Sequence, residues 1–543
     1  MRRSLASTAL ALLCACPGKD SPPGPPPPKA VGEACSARGE CQSGLCFAGA
    51  CAATLPAAAS CPTVPGTAHV LADPNVVNAI DPGPGFCVST VRSPFPALPV
   101  EMVQDLGTLQ VGTDATFAAT SGTSSFVLVS QEADGSAPDT FFLGPEAGFS
   151  TTIEIPNVVV PTNVVAPGGT LYYDDLAGWP TITIGDHAYY DFTGRLAHDL
   201  GIQSSSGAFP VPNTSAAIDR VLSNGGVTPG SWSFRVNDWA AECLSFRGCS
   251  GGSGSSTYRL HAVTRSGPIA STGALDVEVY LATDPTSVLS TPAGAAAHPQ
   301  VARWVGSVGS FLGNAGLCIG DVTFHDLPQW AKDRYAPGGD VDLNDFGICG
   351  DLDQLFTTAI VPRRAVHLFL SDGFIAPSQG VGRIAGIDGT IPGPTGFPGT
   401  ISGGAAVALN DELGHETVSG ACDGSGPPDL LRCGTDRLAY IAAHEIGHWL
   451  GLYHTTESDG TLFDPVSDTG MCPCSACAAA AQRNGCAEVS SNPTTEITND
   501  RCVLSSTCGG GRNLMFWLLH PVYSTGELSP DQGRIVLLNP AVR

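Results

Sequence analysis

The sequence is short of charge, and above all of positive charge. Only 14% of its 543 residues are charged, and 25 lysine and arginine residues stand against 50 aspartate and glutamate residues, for a formal net charge of −25. Such a chain repels phosphate backbones and anionic lipid headgroups. The composition therefore argues against nucleic acid as a partner.

Long hydrophobic runs are also scarce, and after the N-terminus none is long enough to cross a bilayer. Two arginines at positions 2 and 3 precede an apolar run from 5 to 13, which is typical of an export signal and which we place at residues 1–16. The run ends in LCAC, similar to the lipobox of bacterial lipoproteins. Cys16 is then the candidate lipid anchor, with cleavage near Ala15 without lipid as the alternative. We expect an outer-membrane or cell-surface lipoprotein, or an extracellular protein, that contacts membranes only through this anchor.

Glycine, proline and cysteine, in contrast, are plentiful. The chain has 66 glycines, 44 prolines and 20 cysteines, a composition of strands and turns in which helix is the minority. Residues 17–32 contain seven prolines, six of them between positions 22 and 28, and form an extended linker. Residues 33–62 include four closely spaced cysteines, at positions 35, 41, 46 and 51, which predict a small segment held by disulfides, the default in an exported chain. Metal binding by these four cysteines is the weaker alternative.

Two larger domains follow. Residues 66–268 show short alternating runs broken by turn residues, which predicts an all-β sandwich accessory domain. Residues 272–543 alternate between strand and helix patterns and predict an α+β domain with a mixed sheet. Its predicted elements are strands at Leu275–Ala282, Ile319–Phe324, Ala365–Leu370 and Ala405–Leu409 and helices at Pro299–Asn314 and Asp351–Thr358.

One segment of this second domain carries recognisable chemistry. Residues 444–454 read HEIGHWLGLYH. On a helix His444 and His448 lie on one face, and Gly451 allows the chain to turn so that His454 reaches the same cation. Thr435 or Asp436 is the predicted cap of this helix.

Three imidazoles suit a zinc ion and leave one position open for water, as in a catalytic site. Zinc lowers the pKa of bound water to about 7, and Glu445 can act as the general base that takes its proton. We therefore expect one catalytic Zn²⁺ held by His444, His448 and His454.

The extended motif resembles that of the metzincin metalloproteases, which combine it with a downstream Met-turn. Met515, in Asn513-Leu514-Met515, is similar to the turn of the pappalysin family, and the likeness covers residues 437–543. It departs from the family at Gly470, where proline is usual, and at Trp517, where several metzincins have tyrosine. The resemblance implies a zinc-dependent endopeptidase with protein or peptide substrates and a metzincin-like fold with an active-site helix.

The resemblance also implies an edge strand that receives extended substrate. We place it at Gly403–Leu409, with Gly403, Ala405, Val407 and Leu409 as its residues. The alternative function is a non-catalytic surface adhesin with a vestigial zinc site, against which the intact Glu445 argues.

Two further clusters are open to more than one interpretation. Acidic residues could hold calcium at two places: Asp340, Asp342, Asn344 and Asp351, and Asp459, Asp464 and Asp468. Solvated acidic loops are the alternative. Cys472, Cys474, Cys477 and Cys486 are crowded as in a metal cluster, but irregular spacing in an exported chain favours disulfides. Substrate, oligomeric state and disulfide connectivity are not readable from the sequence.

Overall fold

The computed structural model describes most of the chain from residue 27 onward. The described residues are 27–55, 70–85, 102–110, 113–132, 152–166, 170–173, 182–184, 187–189, 206–244, 249–253, 257–344, 350–361, 363–376, 383–389, 399–400, 403–424, 426–460, 463–486, 489–490, 494–504 and 508–543. The predicted export signal, Cys16 and most of the proline-rich linker lie outside them.

The fold is mixed α and β, with several sheets. The strands are β1 (Cys46–Phe47), β2 (Ala50–Cys51), β3 (Val70–Val76), β4 (Val103–Gln110), β5 (Asp114–Ala119), β6 (Thr123–Glu132), β7 (Thr152–Ala166), β8 (Thr170–Tyr173), β9 (Ile182–Ile184), β10 (His187–Tyr189), β11 (Ser206–Val211), β12 (Gly230–Leu244), β13 (Cys249–Ser253), β14 (Thr257–Ser266), β15 (Gly273–Ala282), β16 (Leu317–Asp326), β17 (Asp340–Asp342), β18 (Ala365–Ser371), β19 (Gly373–Ile375), β20 (Gly386–Asp388) and β21 (Ala405–Ala408). The α-helices are α1 (Ser215–Asn224), α2 (Pro292–Ala297), α3 (Pro299–Gly313), α4 (Gln329–Tyr335), α5 (Asp351–Phe356), α6 (Gly434–Trp449), α7 (Cys474–Cys477), α8 (Asn499–Leu504) and α9 (Pro530–Leu538).

A six-stranded sheet forms the framework of the C-terminal half, in the order β20-β21-β18-β15-β16-β3. Five strands run parallel, and only β20, at one edge, is antiparallel to its neighbour. Parallel strands are covered on both faces, so they read as nearly continuous apolar runs. Every residue of β18 is accordingly buried. The strands and helices predicted between residues 275 and 409 are confirmed, with ends shifted by one or two residues.

Strand β3 corrects the predicted domain boundary. Residues 66–268 were assigned to the accessory domain, but β3 pairs in parallel with β16 as the outermost strand of the six-stranded sheet. All of its residues are exposed or half-buried. An edge strand of this kind gives little hydrophobic pattern, and its partner lies some 250 residues away in the sequence.

The described residues between 102 and 266 form two larger antiparallel sheets and the two-stranded sheet β9-β10. The strand orders of the larger sheets are β11-β6-β14-β4 and β13-β12-β7-β8, with β5 also paired to β12. The two larger sheets contact each other through aromatic rings. The ring centroid of Phe126 in β6 lies 5.0 Å from that of Phe117 in β5 and 5.1 Å from that of Trp232 in β12. Helix α1 is an addition that the all-β prediction did not contain.

The N-terminal cysteine-rich segment is held by the disulfides Cys35–Cys46 and Cys41–Cys51. It is joined to the rest of the molecule by Arg38, whose guanidinium donates two hydrogen bonds of 2.7 Å to Asp531 on α9. Asp531 is fully buried and also accepts a hydrogen bond from Ser215 on α1. One carboxylate therefore connects three parts of the chain. No helix among the described residues is both long and apolar enough to cross a membrane.

Candidate metal centre

Helix α6 carries the first two histidines and is almost entirely buried. It packs against α3, where Phe311 meets Tyr440 edge to face at 5.4 Å, and against β20 and β21. The predicted cap is wrong: Cys433 occupies the N-cap, without a side-chain cap. Asp436 instead accepts hydrogen bonds from the buried Arg303 of α3, at 2.6 and 2.8 Å. A buried guanidinium needs a counter-charge, and Asp436 supplies it.

The chain reverses directly after α6. Gly451 has φ of 108°, a conformation that favours glycine, and the amide of Leu452 donates to the carbonyl of Gly447 at 3.0 Å. The reversal returns His454 toward the helix. The Nε2 atom of His444 lies 3.0 Å from that of His448 and 3.1 Å from that of His454.

The hydrogen bonds of the Nδ1 atoms, which point away from the centre, show the tautomers of His444 and His448. Nδ1 of His444 lies 2.7 Å from the carbonyl oxygen of Leu514, and Nδ1 of His448 lies 2.8 Å from that of Leu452. Because a carbonyl can only accept, both Nδ1 atoms carry the proton, and each neutral ring presents an Nε2 lone pair. Burial, and then the neighbouring His454, lower the pKa of His444 to about 3, so this ring is neutral.

Converging lone pairs repel one another unless a cation lies between them. Bonds of about 2.0–2.1 Å to a tetrahedral zinc ion would place ligand nitrogens roughly 3.3 Å apart. The observed spacings are close to this value, and neutral imidazoles with a fixed outer hydrogen bond are the usual donors to zinc. The three histidines therefore fit a zinc ion.

Glu445 lies on the same helix beside the first histidine and is buried. Its carboxylate meets the backbone of Gly386 in β20, where an added Cβ atom would overlap Oε1 of Glu445. Burial raises the pKa of Glu445 to about 8. A divalent cation next to it would lower that pKa again, because opposite charge favours the ionised form.

Met515 lies beneath the helix. The residues around it form a tight turn in which the amide of Phe516 donates to the carbonyl of Asn513 at 3.2 Å. The Met515 sulfur lies against Gly447, where an added Cβ atom would overlap it. The preceding residue of the turn, Leu514, provides the carbonyl that orients His444. Trp517, in contrast, donates from its indole to the carbonyl of Ile497, within a separate buried cluster.

The predicted substrate strand is not at the edge of the sheet. Gly403 precedes β21 and Leu409 follows it, and Ala405 and Val407 lie within it. β21 pairs with β18 on one side and with β20 on the other. Among the strands that the structure describes, the outermost on this side is β20, a three-residue strand that carries Gly386 and lies beside Glu445. A strand this short has no detectable alternation, so sequence analysis missed it.

Sequence analysis also missed Glu457. Both of its carboxylate oxygens lie close to Nδ1 of His454, at 2.9 and 3.0 Å, and the side chain is buried. Its position three residues after the third histidine was the available signal. A carboxylate on the outer nitrogen of a ligand histidine fixes the ring and raises its basicity.

The acidic residues predicted to hold calcium have varied surroundings. Asp340 and Asp342 lie in β17, and Asp351 begins α5. Asp464 accepts hydrogen bonds from Thr469 and Gln532, and Asp468 accepts from Ser529 and the amide of Asp531. Protein donors thus occupy these last two carboxylates, and calcium binding stays a prediction.

Neither a family model nor a curated protein matches this sequence. Among solved structures, a chain from the structure of a chaperone-substrate complex is 12% identical, with a TM-score of 0.24, over 57% of this chain and 38% of that one. A carbohydrate esterase family 2 enzyme plus carbohydrate-binding domain from Corynascus thermopiles (Myceliophthora fergusii) is 14% identical, with a TM-score of 0.11, over 49% of this chain and 77% of that one. The chain spans about two fifths of the first structure's length. Similarities this weak carry no argument about fold or activity.

Proposed function

We propose that this chain is an exported zinc-dependent endopeptidase of the metzincin kind, most similar to the pappalysin family. Its catalytic domain would comprise β3 and residues 272–543, and residues 102–266 would form an accessory β-sandwich. The observation that carries the proposal is the convergence of three Nε2 lone pairs, each with its Nδ1 atom held by an acceptor. Protein or peptide is the proposed substrate class.

Zinc, when bound, would polarise the scissile carbonyl and make water a nucleophile at neutral pH. The proton transfers of the reaction are carried out by the chain's own residues. The Glu445 carboxylate accepts a proton from the attacking water and then donates it to the leaving nitrogen of the amide. Because Glu445 is buried against Gly386, its carboxylate oxygen Oε1 is kept away from bulk solvent.

We assign the alignment of the substrate peptide to β20. An extended peptide can add to the free edge of a sheet through backbone hydrogen bonds that do not depend on its side chains. Because β20 is antiparallel to β21 and lies beside Glu445, a peptide paired with β20 would pass the carboxylate. This arrangement replaces the edge strand expected at Gly403–Leu409.

The Glu445→Gln variant of the full-length protein tests the proposal. It should retain stoichiometric zinc, measured by elemental analysis, and lose about 10²–10⁴-fold in the cleavage rate of a denatured protein. Glu416→Gln makes the same chemical change in a second His-Glu pair and should cleave like wild type.

Equal cleavage by the wild type and Glu445→Gln would remove the mechanism. Wild-type protein that binds zinc but cleaves nothing in a proteome-derived peptide library would favour the adhesin alternative. Absence of bound zinc would overturn the proposed peptidase.

A further inference from the structure

The segment between residues 472 and 508 contains six cysteines, and the structure pairs only four of them. The disulfides are Cys472–Cys508 and Cys474–Cys486. Cys477 and Cys502 remain as buried free thiols whose sulfur atoms lie within 4.8 Å of each other. In an oxidising compartment, two buried thiols in contact are the unusual state, because disulfides form and persist there.

These two thiols belong to a compact group of four sulfur atoms. The sulfurs of Cys472, Cys477, Cys502 and Cys508 all lie within 4.8 Å of one another. The Cys477 sulfur lies 3.2 Å from that of Cys508. The Cys477 and Cys502 sulfurs are therefore at most 4.8 Å apart, and a bond of about 2.05 Å between them would leave Cys472–Cys508 intact.

The group contacts the two chain segments that follow His454 and Met515 in the candidate metal centre. The amide of Cys472 donates to the hydroxyl of Thr456 at 3.1 Å, two residues after His454. Thr456 in turn forms a β-bridge with Phe516, which follows Met515 and packs in the same buried cluster as the four cysteines. The segment after His454 and the segment after Met515 are therefore both packed against this cluster.

We propose that Cys477 and Cys502 are a modification site. They form an oxidisable dithiol that closes to a second disulfide within the group of four sulfurs and thereby stiffens the segments that follow His454 and Met515 in the metal centre. The oxidant is a small disulfide such as oxidised glutathione. The Cys477 thiolate attacks one of its sulfurs, forms a mixed disulfide and releases one thiolate. Cys502 then loses its proton and attacks the Cys477 sulfur, which forms the Cys477–Cys502 bond and releases the second thiolate. Two protein thiols are oxidised and one external disulfide is reduced to two thiols.

The order of attack follows from the surroundings. Cys502 is completely buried, whereas Cys477 keeps 6% of its surface exposed, so an external disulfide reaches Cys477 first. The hydrogen bond with Cys477, and then burial, also raise the pKa of Cys502. Cys477 begins the exchange and Cys502 resolves it.

Alkylation in denaturant followed by mass spectrometry tests the bond on the full-length protein. After treatment with oxidised glutathione, both thiols should lose reactivity together, and fragmentation should find Cys477 linked to Cys502. Cys502→Ser should instead keep a glutathione adduct on Cys477, and Cys477→Ser should leave Cys502 alkylatable. Two thiols that remain alkylatable in the wild type, or a bond from Cys477 to Cys508, would overturn the proposal. The wild-type map decides the matter even where a variant does not fold.

The link to the metal centre rests on the proposed function and has its own measurement. Zinc release to a chelator should be at least about two-fold slower from the oxidised than from the dithiol form of the wild type, because a cross-link suppresses local opening. Equal rates would overturn the coupling. If neither form binds zinc, the proposed function fails, while the thiol map still decides whether the second disulfide forms.

Discussion

The carboxylate of Glu457 holds the outer ring nitrogen of His454 with both of its oxygens, at 2.9 and 3.0 Å. His444 and His448 are oriented by backbone carbonyls, so His454 is the histidine whose orientation a side-chain substitution can change most directly.

Replacing Glu457 by alanine should weaken zinc binding about 10–100-fold, the usual effect of losing such a partner. Glu457→Gln should weaken it less, because an amide oxygen still accepts from Nδ1. Competition against a chelating dye measures the affinity, with Glu33→Ala on the exposed surface as the control. Wild-type affinity in Glu457→Ala would show that His454 needs no such support.

Gly386→Ala should impair catalysis without removing the metal. The added methyl group would overlap Oε1 of Glu445 and displace the proposed base. A displacement near 1 Å can cost about 10²-fold in rate. Gly306→Ala is the matched control, because nothing lies within 4 Å of a Cβ atom at that helical position. Zinc content and cleavage rate are measured together, and undiminished cleavage by Gly386→Ala would place the base elsewhere.

The pair Arg303–Asp436 should contribute strongly to stability. Arg303→Met leaves the fully buried Asp436 without its counter-charge, and breaking a buried pair in this way costs about 3–5 kcal/mol. The control is Arg432→Met, which removes an exposed partner of Asp429 and should cost less than about 1 kcal/mol. Denaturant unfolding compares the two variants, and equal losses would contradict the assignment.

A buried histidine outside the metal centre should make unfolding depend on pH. Burial, and then the nearby His325, lower the pKa of His367 to about 3, against about 6.5 in an unfolded chain. Between these values the unfolded state binds the additional proton, so stability falls as the pH drops from 6.5, by about 1.4 kcal/mol per pH unit.

His367→Gln should reduce the slope of unfolding free energy against pH by about one proton over this range. Identical slopes in wild type and His367→Gln would mean that His367 is already protonated in the folded protein. The hydrogen bond of 2.9 Å between Tyr280 and His367 is lost or altered in the variant, so the comparison uses slopes rather than absolute stabilities.

Local patterns predicted the elements whose signal is local. Strands β15 and β18 are continuous apolar runs because both of their faces are covered, and α3 and α6 show helical periodicity. The spacing of His444, His448 and His454 predicted a set of ligands that the structure brings together, because helix geometry and one glycine turn determine where the rings point.

Most of the features that were not predicted from the sequence depend on partners elsewhere in the chain; Glu457, three residues from its partner His454, is the exception. Asp436 has the right residue type for a cap, but Arg303, 133 residues earlier, draws its carboxylate away from the helix terminus. Strand β3 belongs to a sheet whose next strand is over 240 residues distant, and β20 is defined by its pairing with β21 rather than by its own three residues. No single window of sequence contains both members of such a pair.

The ion pair between Arg38 and Asp531 also constrains the timing of folding. The two residues are separated by 493 positions, and Asp531 has no access to solvent. At roughly 5–20 residues per second, a ribosome needs about 25–100 seconds to pass from one codon to the other. Asp219 of α1, which pairs with Arg38 at 2.7 Å, is made much earlier, but the contact with Asp531 must wait until the final helix has been made. This contact therefore joins the earliest and latest described parts of the polypeptide.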